Sequence, residues 1–438
     1  MLDITFIREN LDIVKAALKN KNREDVDLGR ILELAEARKK AAGDISDINR
    51  KRNEAQAARD AEAGKQLKDD LKAAEEAYQA LEKELVSLLI QVPNIPSADT
   101  PVGPGEESNK VLSEWGQKPA FSFAPKAHWD IGRELGLIDN EKAAEVSGAR
   151  FTYLKGDLAM LQFALIDLAF KTLSSRDEIA RIAREAGIEA DSKPFIPVVP
   201  PVMMKPQVMN RMARLEPMDE RYVFKEDDIV LVGSAEHTLG PLHMDETIAE
   251  DRLPIRYVGY STSFRREAGA AGKDTRGILR LHQFDKVEME TFCLPEHSYA
   301  EQDLLVAIQS DLMKRLNIAH RLIICSTGDQ GDADHRHIDL ECWMPGQSAQ
   351  DASEGLGRYR ETHSADLMQG YQARRLNTKV KRASGESEPV HMNDATVFAV
   401  GRTLIAILEN YQNEDGSVTI PEVLRAYMGK EKLEKANI

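Results

Sequence analysis

The 438-residue chain is 42% hydrophobic and 30% charged, and its net charge of −15 makes it acidic overall. A chain of this length fits two domains, each with its own core. The acidity excludes a general nucleic-acid-coating protein, which would be basic, so any RNA contact must come from local basic patches.

The opening residues, MLDITFIREN, hold no basic run leading into an apolar stretch, so no signal peptide is expected. No apolar run reaches the roughly 18 residues of a membrane-spanning helix. Cys293, Cys325 and Cys342 lack CxxC spacing and read as buried free thiols of a reducing cytoplasm. Both features point to a cytoplasmic protein.

Residues 30–91 contain no proline and are rich in Ala, Glu, Lys, Arg and Leu, the composition of a long helix or coiled coil. Leu67, Leu71, Ala74, Tyr78, Leu81, Leu85 and Leu88 alternate steps of four and three, as in a coiled-coil seam. A weaker seam, interrupted by Arg52, runs through Ala41, Ile45, Ile48 and Ala55. The stretch 60–65, with Gly64 as its turn, would separate two helices of roughly 45 Å each at 1.5 Å per residue. A short link makes them antiparallel, giving a protruding helical hairpin. Basic clusters at Arg38, Lys39, Lys40, at Arg50, Lys51, Arg52 and at Arg59 are interleaved with acids, so on charge alone they suit a solvated surface as well as an RNA contact.

Pro93, Pro96, Pro101 and Pro104, with Gly103 and Gly105, form a linker, placing a domain boundary between 1–105 and 106–438. Beyond it, short runs rich in Val, Ile, Phe and Tyr mix with helices near 159–174 and 296–316. Strands without regular βα alternation predict an antiparallel α+β domain, not a doubly wound sheet. No G-x-x-x-x-G-K-[ST] loop occurs, which excludes the P-loop phosphate cradle. The polar stretches 348–357 and 383–389 read as mobile surface loops. His335 and His337 flank Arg336 in a polar segment. A metal site there is conceivable, but the spacing in a loop reads first as surface.

Residues 260–291 read as strand, glycine-rich loop, strand. In the second strand Arg280, His282, Phe284, Lys286, Glu288 and Glu290 share one face, while Leu279, Leu281, Val287 and Met289 share the other. The first face is costly to bury without partners. It suits the floor of a polar cleft, where an aromatic ring stacks on a purine, a guanidinium grips phosphate and a carboxylate holds an ammonium group. Composition alone allows a solvent-facing strand equally well.

The run FRREAGAAGKDTRGILRLHQFDKVE resembles motif 2 of the class II aminoacyl-tRNA synthetases in the form found in seryl-tRNA synthetases. Residues 393–428 resemble motif 3 and the C-terminal tail of that family, 371–375 match its Tyr-Gln-Ala-Arg-Arg run, and Gly233-Ser234-Ala235-Glu236 stand where its serine-binding loop lies. With the hairpin, the resemblance covers essentially the whole chain. It implies an ATP-dependent serine–tRNA ligase that forms seryl-adenylate with release of pyrophosphate, and then seryl-tRNA with release of AMP.

The resemblance implies roles residue by residue. Arg265 grips the α-phosphate, Glu267 meets the adenine amino group, Phe284 stacks on the adenine and Arg402 binds the γ-phosphate. Arg266, Leu281, His282, Thr362 and His363 complete the ATP site, and Glu361 and Ser364 hold Mg2+. Serine recognition falls to Ser234, Ala235, Glu236, Glu288 and Thr396, with Glu288 on the amino group. Partners left unpaired by a missing hydroxyl would reject alanine. The chain departs from the usual bacterial form at Ser234 (Thr), at Glu361-Thr362-His363-Ser364 (Glu-Ile-Ser-Ser) and at Asp394-Ala395-Thr396 (Asn-Gly-Ser). Hydroxyls survive at Ser234, Ser364 and Thr396. His363 is unusual and is read as packing beneath the site.

Residues 176–187 followed by 193–201 fit the order of motif 1, a dimer helix and a strand with proline, which implies a homodimer with Pro200 and Pro201 at its interface. The family's hairpin binds the long variable arm of tRNA(Ser), the family generally also serves tRNA(Sec), and the anticodon is not read. Two alternatives compete: a synthetase-like paralogue that loads an amino acid onto a carrier protein, and a coiled-coil RNA-binding protein with a dead synthetase domain. The complete hairpin opposes the first, and the retained Arg265, Glu267, Phe284, Glu288, Glu361 and Arg402 oppose the second.

Overall fold

The structure, a computed structural model, describes residues 1–268, 276–348 and 356–435. The glycine-rich loop predicted after Glu267 and the polar stretch after Ser348 fall largely outside them. The chain forms two compact units: Met1–Pro96 with Gly331–Ala333, and Ser97–Gln330 with Asp334–Ile438.

The first unit is helical: α1 (Ile4–Glu9), α2 (Leu11–Asn20), α3 (Leu28–Ala57) and α4 (Ala61–Leu89). The long helices α3 and α4 pair as a hairpin. In the α4 seam Leu71 and Leu85 are buried, and Leu67, Ala74, Tyr78, Leu81 and Leu88 are partly buried. The predicted turn is shifted. The helix runs through Gly64, and the chain reverses at Ala58–Asp60, where Arg59 has φ +55° and the Asp60 side chain accepts from Ala63 N at 3.0 Å. The N-cap, which satisfies an orphan helix donor, decides the position over the glycine. Arg38 of the predicted basic cluster is bonded to Glu82 at 2.8 Å, whereas Lys39, Lys40, Lys51, Arg52 and Arg59 are exposed.

The second unit is built on a sheet that, among the described residues, has eight strands. They are β1 (Lys110–Trp115), β2 (Ile196–Val198), β3 (Ile255–Phe264), β4 (Gln283–Cys293), β5 (His320–Ile324), β6 (Arg336–Ser348), β7 (Leu356–Gln369) and β8 (His391–Ala399). Their order is β1-β5-β6-β7-β8-β4-β3-β2. Every pairing is antiparallel except β2 with β3. This is the α+β class expected. One face of the central strands, with Val287, Met289, Ile338, Leu340, Ala365, Ala395 and Val397, belongs to the hydrophobic core. Helices α5 (Asp157–Leu173), α6 (Arg176–Ala186), α7 (Ser298–Arg315) and α8 (Val400–Asn410) supply much of the remainder of that core. Among the described residues no single helix is long and apolar enough to cross a membrane.

Two predicted loops are ordered differently. Ser387–Pro389 returns as a strand against Lys379–Lys381, clamped by Arg382, which bonds Glu250, Glu296 and Glu388. The segment with His337 is strand β6, and His337 is partly buried at the site; alternation along a strand turns it away from the surface assumed for a loop. Arg336 pairs with Asp99 and Asp303, and His335 Nε2 lies 2.7 Å from the Tyr299 hydroxyl. The three cysteines are free and buried.

Candidate active site

Strand register builds the site. Asp339 faces Ser364, and Glu288 faces Thr396, whose hydroxyl lies 3.3 Å from Ser364 Oγ. Two residues along, His337 faces Asp366, Asp366 faces Asp394 and Asp394 faces Glu290. Because side chains alternate, both rows lie on the face opposite the core, and a one-residue slip would bury them in it. Helix α7 anchors the rows from below. Gln309 Nε2 donates to the carbonyls of Ser364 (2.7 Å) and Thr396 (2.8 Å).

Strand β4 begins at Gln283, so Arg280 and His282 lie in a bend before the strand. The bend is fixed by a buried chain: Glu409 accepts from His128 Nδ1 (3.0 Å) and His128 N (3.1 Å), and His128 Nε2 accepts from Ile278 N at 3.2 Å. Gly277 has φ +71°, and a Cβ there would sit 2.0 Å from His128 Nε2, so only glycine fits.

A cavity of about 300 Å³ collects Arg265, Glu267, Leu281, Phe284, Glu361, Thr362, Ser364, Thr396 and Arg402, together with Lys286, His337 and Asp339. A second cavity shares Arg265, Glu267, Lys286 and Ser364 and adds Arg214, Arg221, Glu236, Asp366 and Asp394. Arg265 Nε donates to Gly233 O at 3.2 Å, and its guanidinium lies 5.5 Å from the Phe284 ring centre. Arg402 Nη1 is 2.8 Å from Glu361 Oε1 and donates to Glu361 O at 3.1 Å. Desolvation opposes ionisation of Glu361, but Arg402, His337 and Arg265 outweigh it and hold the carboxyl below its ordinary pKa. Six predicted residues do not line either cavity: Ser234, Ala235 and Glu288, which are buried at the inner end, and Arg266, His282 and His363. Arg266 bonds Glu220 O through its backbone and lies over Tyr222. The His282 ring meets Arg265 O at 3.1 Å. His363 is buried, with Nδ1 2.7 Å from Thr362 Oγ1 and burial pushing its pKa down to about 3.

The inner end is charged and buried. Lys286 Nζ lies 2.5 Å from Glu288 Oε2 and donates to Ser234 Oγ at 3.3 Å. Burial, only partly offset by Lys286, pushes Glu288 up to about 7. Glu236 pairs with Arg214; burial opposes its ionisation, but Arg214, His237 and Lys286 hold it at about 2. Arg214 also faces Asp334, Asp366 and Asp394 at 4.0, 3.5 and 3.6 Å. Sequence reasoning missed Arg214, Asp334, Asp339 and Asp366. The only local signal was the i, i+2 pair His337 and Asp339, which strand alternation puts on one face.

Residues 1–96 match the model of the seryl-tRNA synthetase N-terminal domain, and 222–411 that of the class II tRNA synthetase core domain for G, H, P, S and T. The serine–tRNA ligase of Symbiobacterium thermophilum is 38% identical over an alignment covering 99% of this chain and all of the relative. The chain belongs to the seryl-tRNA synthetase family. The serine–tRNA ligase of Bacillus subtilis is 36% identical over 99% of this chain and all of its own length. Among solved structures, seryl-tRNA synthetase from Pyrococcus horikoshii complexed with ATP superposes with a TM-score of 0.85 at 32% identity, each chain covered fully. The cytoplasmic serine–tRNA ligase of Naegleria fowleri in complex with AMP gives 0.83 at 29%, covering all of this chain and 99% of that one.

Proposed function

We propose that this seryl-tRNA synthetase family member is an ATP-dependent serine–tRNA ligase acting in the cytoplasm as a homodimer. The observation that carries this reading is the pair of adjoining cavities, one lined by Arg265, Phe284, Glu361 and Arg402 and the other by Glu236 and Lys286, with Ser234 and Glu288 buried against Lys286 at its inner end. ATP fits the first: Phe284 takes the adenine ring, Glu267 its amino group, Arg265 the α-phosphate and Arg402 the γ-phosphate. Serine fits the second: Glu288 takes the ammonium, and Ser234, Glu236 and Thr396 serve its hydroxyl, with Ala235 closing the pocket. The buried Thr396 hydroxyl and carboxylates exclude alanine because its methyl group leaves them unpaired.

A serine carboxylate oxygen then attacks the α-phosphorus, the bond to the β-phosphate oxygen breaks, and pyrophosphate leaves. A ribose hydroxyl at the tRNA 3′ end next attacks the seryl carbonyl, and AMP leaves. Positioning and charge neutralisation by Arg265 and Arg402 carry the first step, so no covalent enzyme intermediate is needed. Glu361 and Ser364 offer a carboxylate and a hydroxyl beside the phosphate subsite, a donor set suited to Mg2+. When bound, the ion supplies positive charge to the phosphates.

For tRNA we assign residues 1–105, whose exposed Lys39, Lys40, Lys51, Arg52 and Arg59 suit phosphate contacts, to tRNA(Ser) and tRNA(Sec), and residues 106–438 to adenylation and transfer. Support for the dimer is the edge strand β2 and the residue after it, where Ile196 and Val199 are 51% and 84% exposed, beside Pro200 and Pro201. The test is pyrophosphate exchange with each standard amino acid in turn. Serine alone should drive it. Removing residues 30–91 should preserve exchange and abolish tRNA charging. Exchange without serine dependence, or full charging without the arm, would overturn the corresponding half.

A further inference from the structure

On the wall of the first cavity, His337 stands between two sets of carboxylates. On one side its Nε2 bonds Asp339 Oδ1 at 2.8 Å, and Cys325 Sγ donates to Asp339 Oδ2 at 3.4 Å. That side is satisfied by protons already present. With Nε2 donating to Asp339, Nδ1 faces the second set. It lies 2.5 Å from Asp366 Oδ1 and 3.5 Å from Asp334 Oδ2. Asp366 is nine-tenths buried, and its Oδ1 has no hydrogen-bond partner, nor has His337 Nδ1. Without a metal, burial disfavours a charged ring, but Asp366 and Asp339 outweigh it and keep the ring protonated, and a divalent ion at Nδ1 would take the place of that proton. The 2.5 Å approach lacks hydrogen-bond alignment, so a ring proton does not fill that place well.

We propose that His337 Nδ1, Asp366 Oδ1 and Asp334 Oδ2 bind a divalent first-row transition cation of the Zn2+ or Co2+ kind, at a site separate from the Glu361–Ser364 pair. Three observations carry this. Nδ1 lies 2.5 and 3.5 Å from the two carboxylate oxygens, either side of the roughly 3 Å separations of ligands placed about 2.0–2.2 Å from one ion, and the three residues offer ligand atoms all within 4.8 Å of one another. Imidazole with carboxylates is a donor set for such ions rather than for Ca2+. The surroundings also orient the ligands as metal sites do: Asp339 accepts the other ring N–H of His337, while Arg214 faces the outer oxygens Asp334 Oδ1 and Asp366 Oδ2 at 4.0 and 3.5 Å. The ion would tie β6 to β7 and leave Arg214 to hold Glu236 at the inner end of the amino-acid pocket.

The test uses the full chain, stripped with a chelator and titrated with Co2+ and then Zn2+ in the absence of ATP and Mg2+. One equivalent of Co2+ should bind, with ligand-field absorption, and Zn2+ should displace it. His337→Gln and Asp366→Asn should each weaken binding more than ~100-fold, beyond the roughly 10–100-fold of outer-shell losses. Glu361→Gln should leave it unchanged. X-ray absorption of the zinc-loaded wild type should give a nitrogen and oxygen shell with one imidazole, a result that needs no variant to fold. Failure of the wild type to take up either ion would overturn the proposal, as would undiminished binding in folded His337→Gln. Sulfur in the zinc shell would move the ion to Cys325 and overturn it as well.

Discussion

Glu288 gives the assigned serine pocket a pH dependence that can be calculated. Its carboxyl is fully buried, and burial raises its pKa to about 7 against the attraction of Lys286 and with the support of Glu236. A serine ammonium binds the carboxylate, not the acid, so binding competes with one proton. The sign follows: affinity rises as pH climbs through about 7 and levels off above it. For a single group the apparent dissociation constant scales as one plus the ratio of proton concentration to Ka, so it should be about tenfold larger at pH 6 than at pH 8, or ~1.4 kcal/mol. Serine binding measured by calorimetry without ATP isolates this group from the phosphates. In Glu288→Gln the slope should vanish and binding should be weak at every pH. A flat wild-type profile from pH 6 to 8.5, or a slope that persists in Glu288→Gln, would refute the assignment of the ammonium to Glu288.

Other expectations follow from the same geometry. Arg265→Ala should reduce serine-dependent pyrophosphate exchange by roughly 100–1,000-fold, about 3–4 kcal/mol of lost transition-state stabilisation, with unchanged circular dichroism. Arg265→Lys should recover little, because a single ammonium lacks the guanidinium fork; near-wild-type exchange in either variant counts against a phosphate role. Away from the site, Arg256 is fully buried and makes two bonds to Glu301, at 2.9 and 2.6 Å, joining β3 to α7. Glu301→Ala strands that charge and should cost about 3–5 kcal/mol in denaturant unfolding. Adding Arg256→Met should restore much of the loss, and a double variant no more stable than the single one would show that the stranded charge is not the cause.

The hairpin was legible because a seam of Leu71, Leu85 and their heptad neighbours is a local pattern, set by helical periodicity within one stretch of chain. The antiparallel class was legible for the same reason, from short strands without βα alternation, and so was the polar face of β4 through Phe284, Lys286, Glu288 and Glu290. Motif resemblance then named residues on β7, β8 and α8 that periodicity could not connect. What the sequence could not supply was register across strands. His337, Asp366, Asp394 and Glu290 come from four strands and form one row only because hydrogen-bonded pairing aligns β6, β7, β8 and β4. Arg214 is equally silent in sequence, and it acquires meaning only when folding sets it against Glu236, Asp334, Asp366 and Asp394. Local periodicity fixes which face a side chain takes along its own element. Which charges meet, and therefore which carboxyls stay ionised, is decided by long-range pairing and burial, and those exist only in the folded chain.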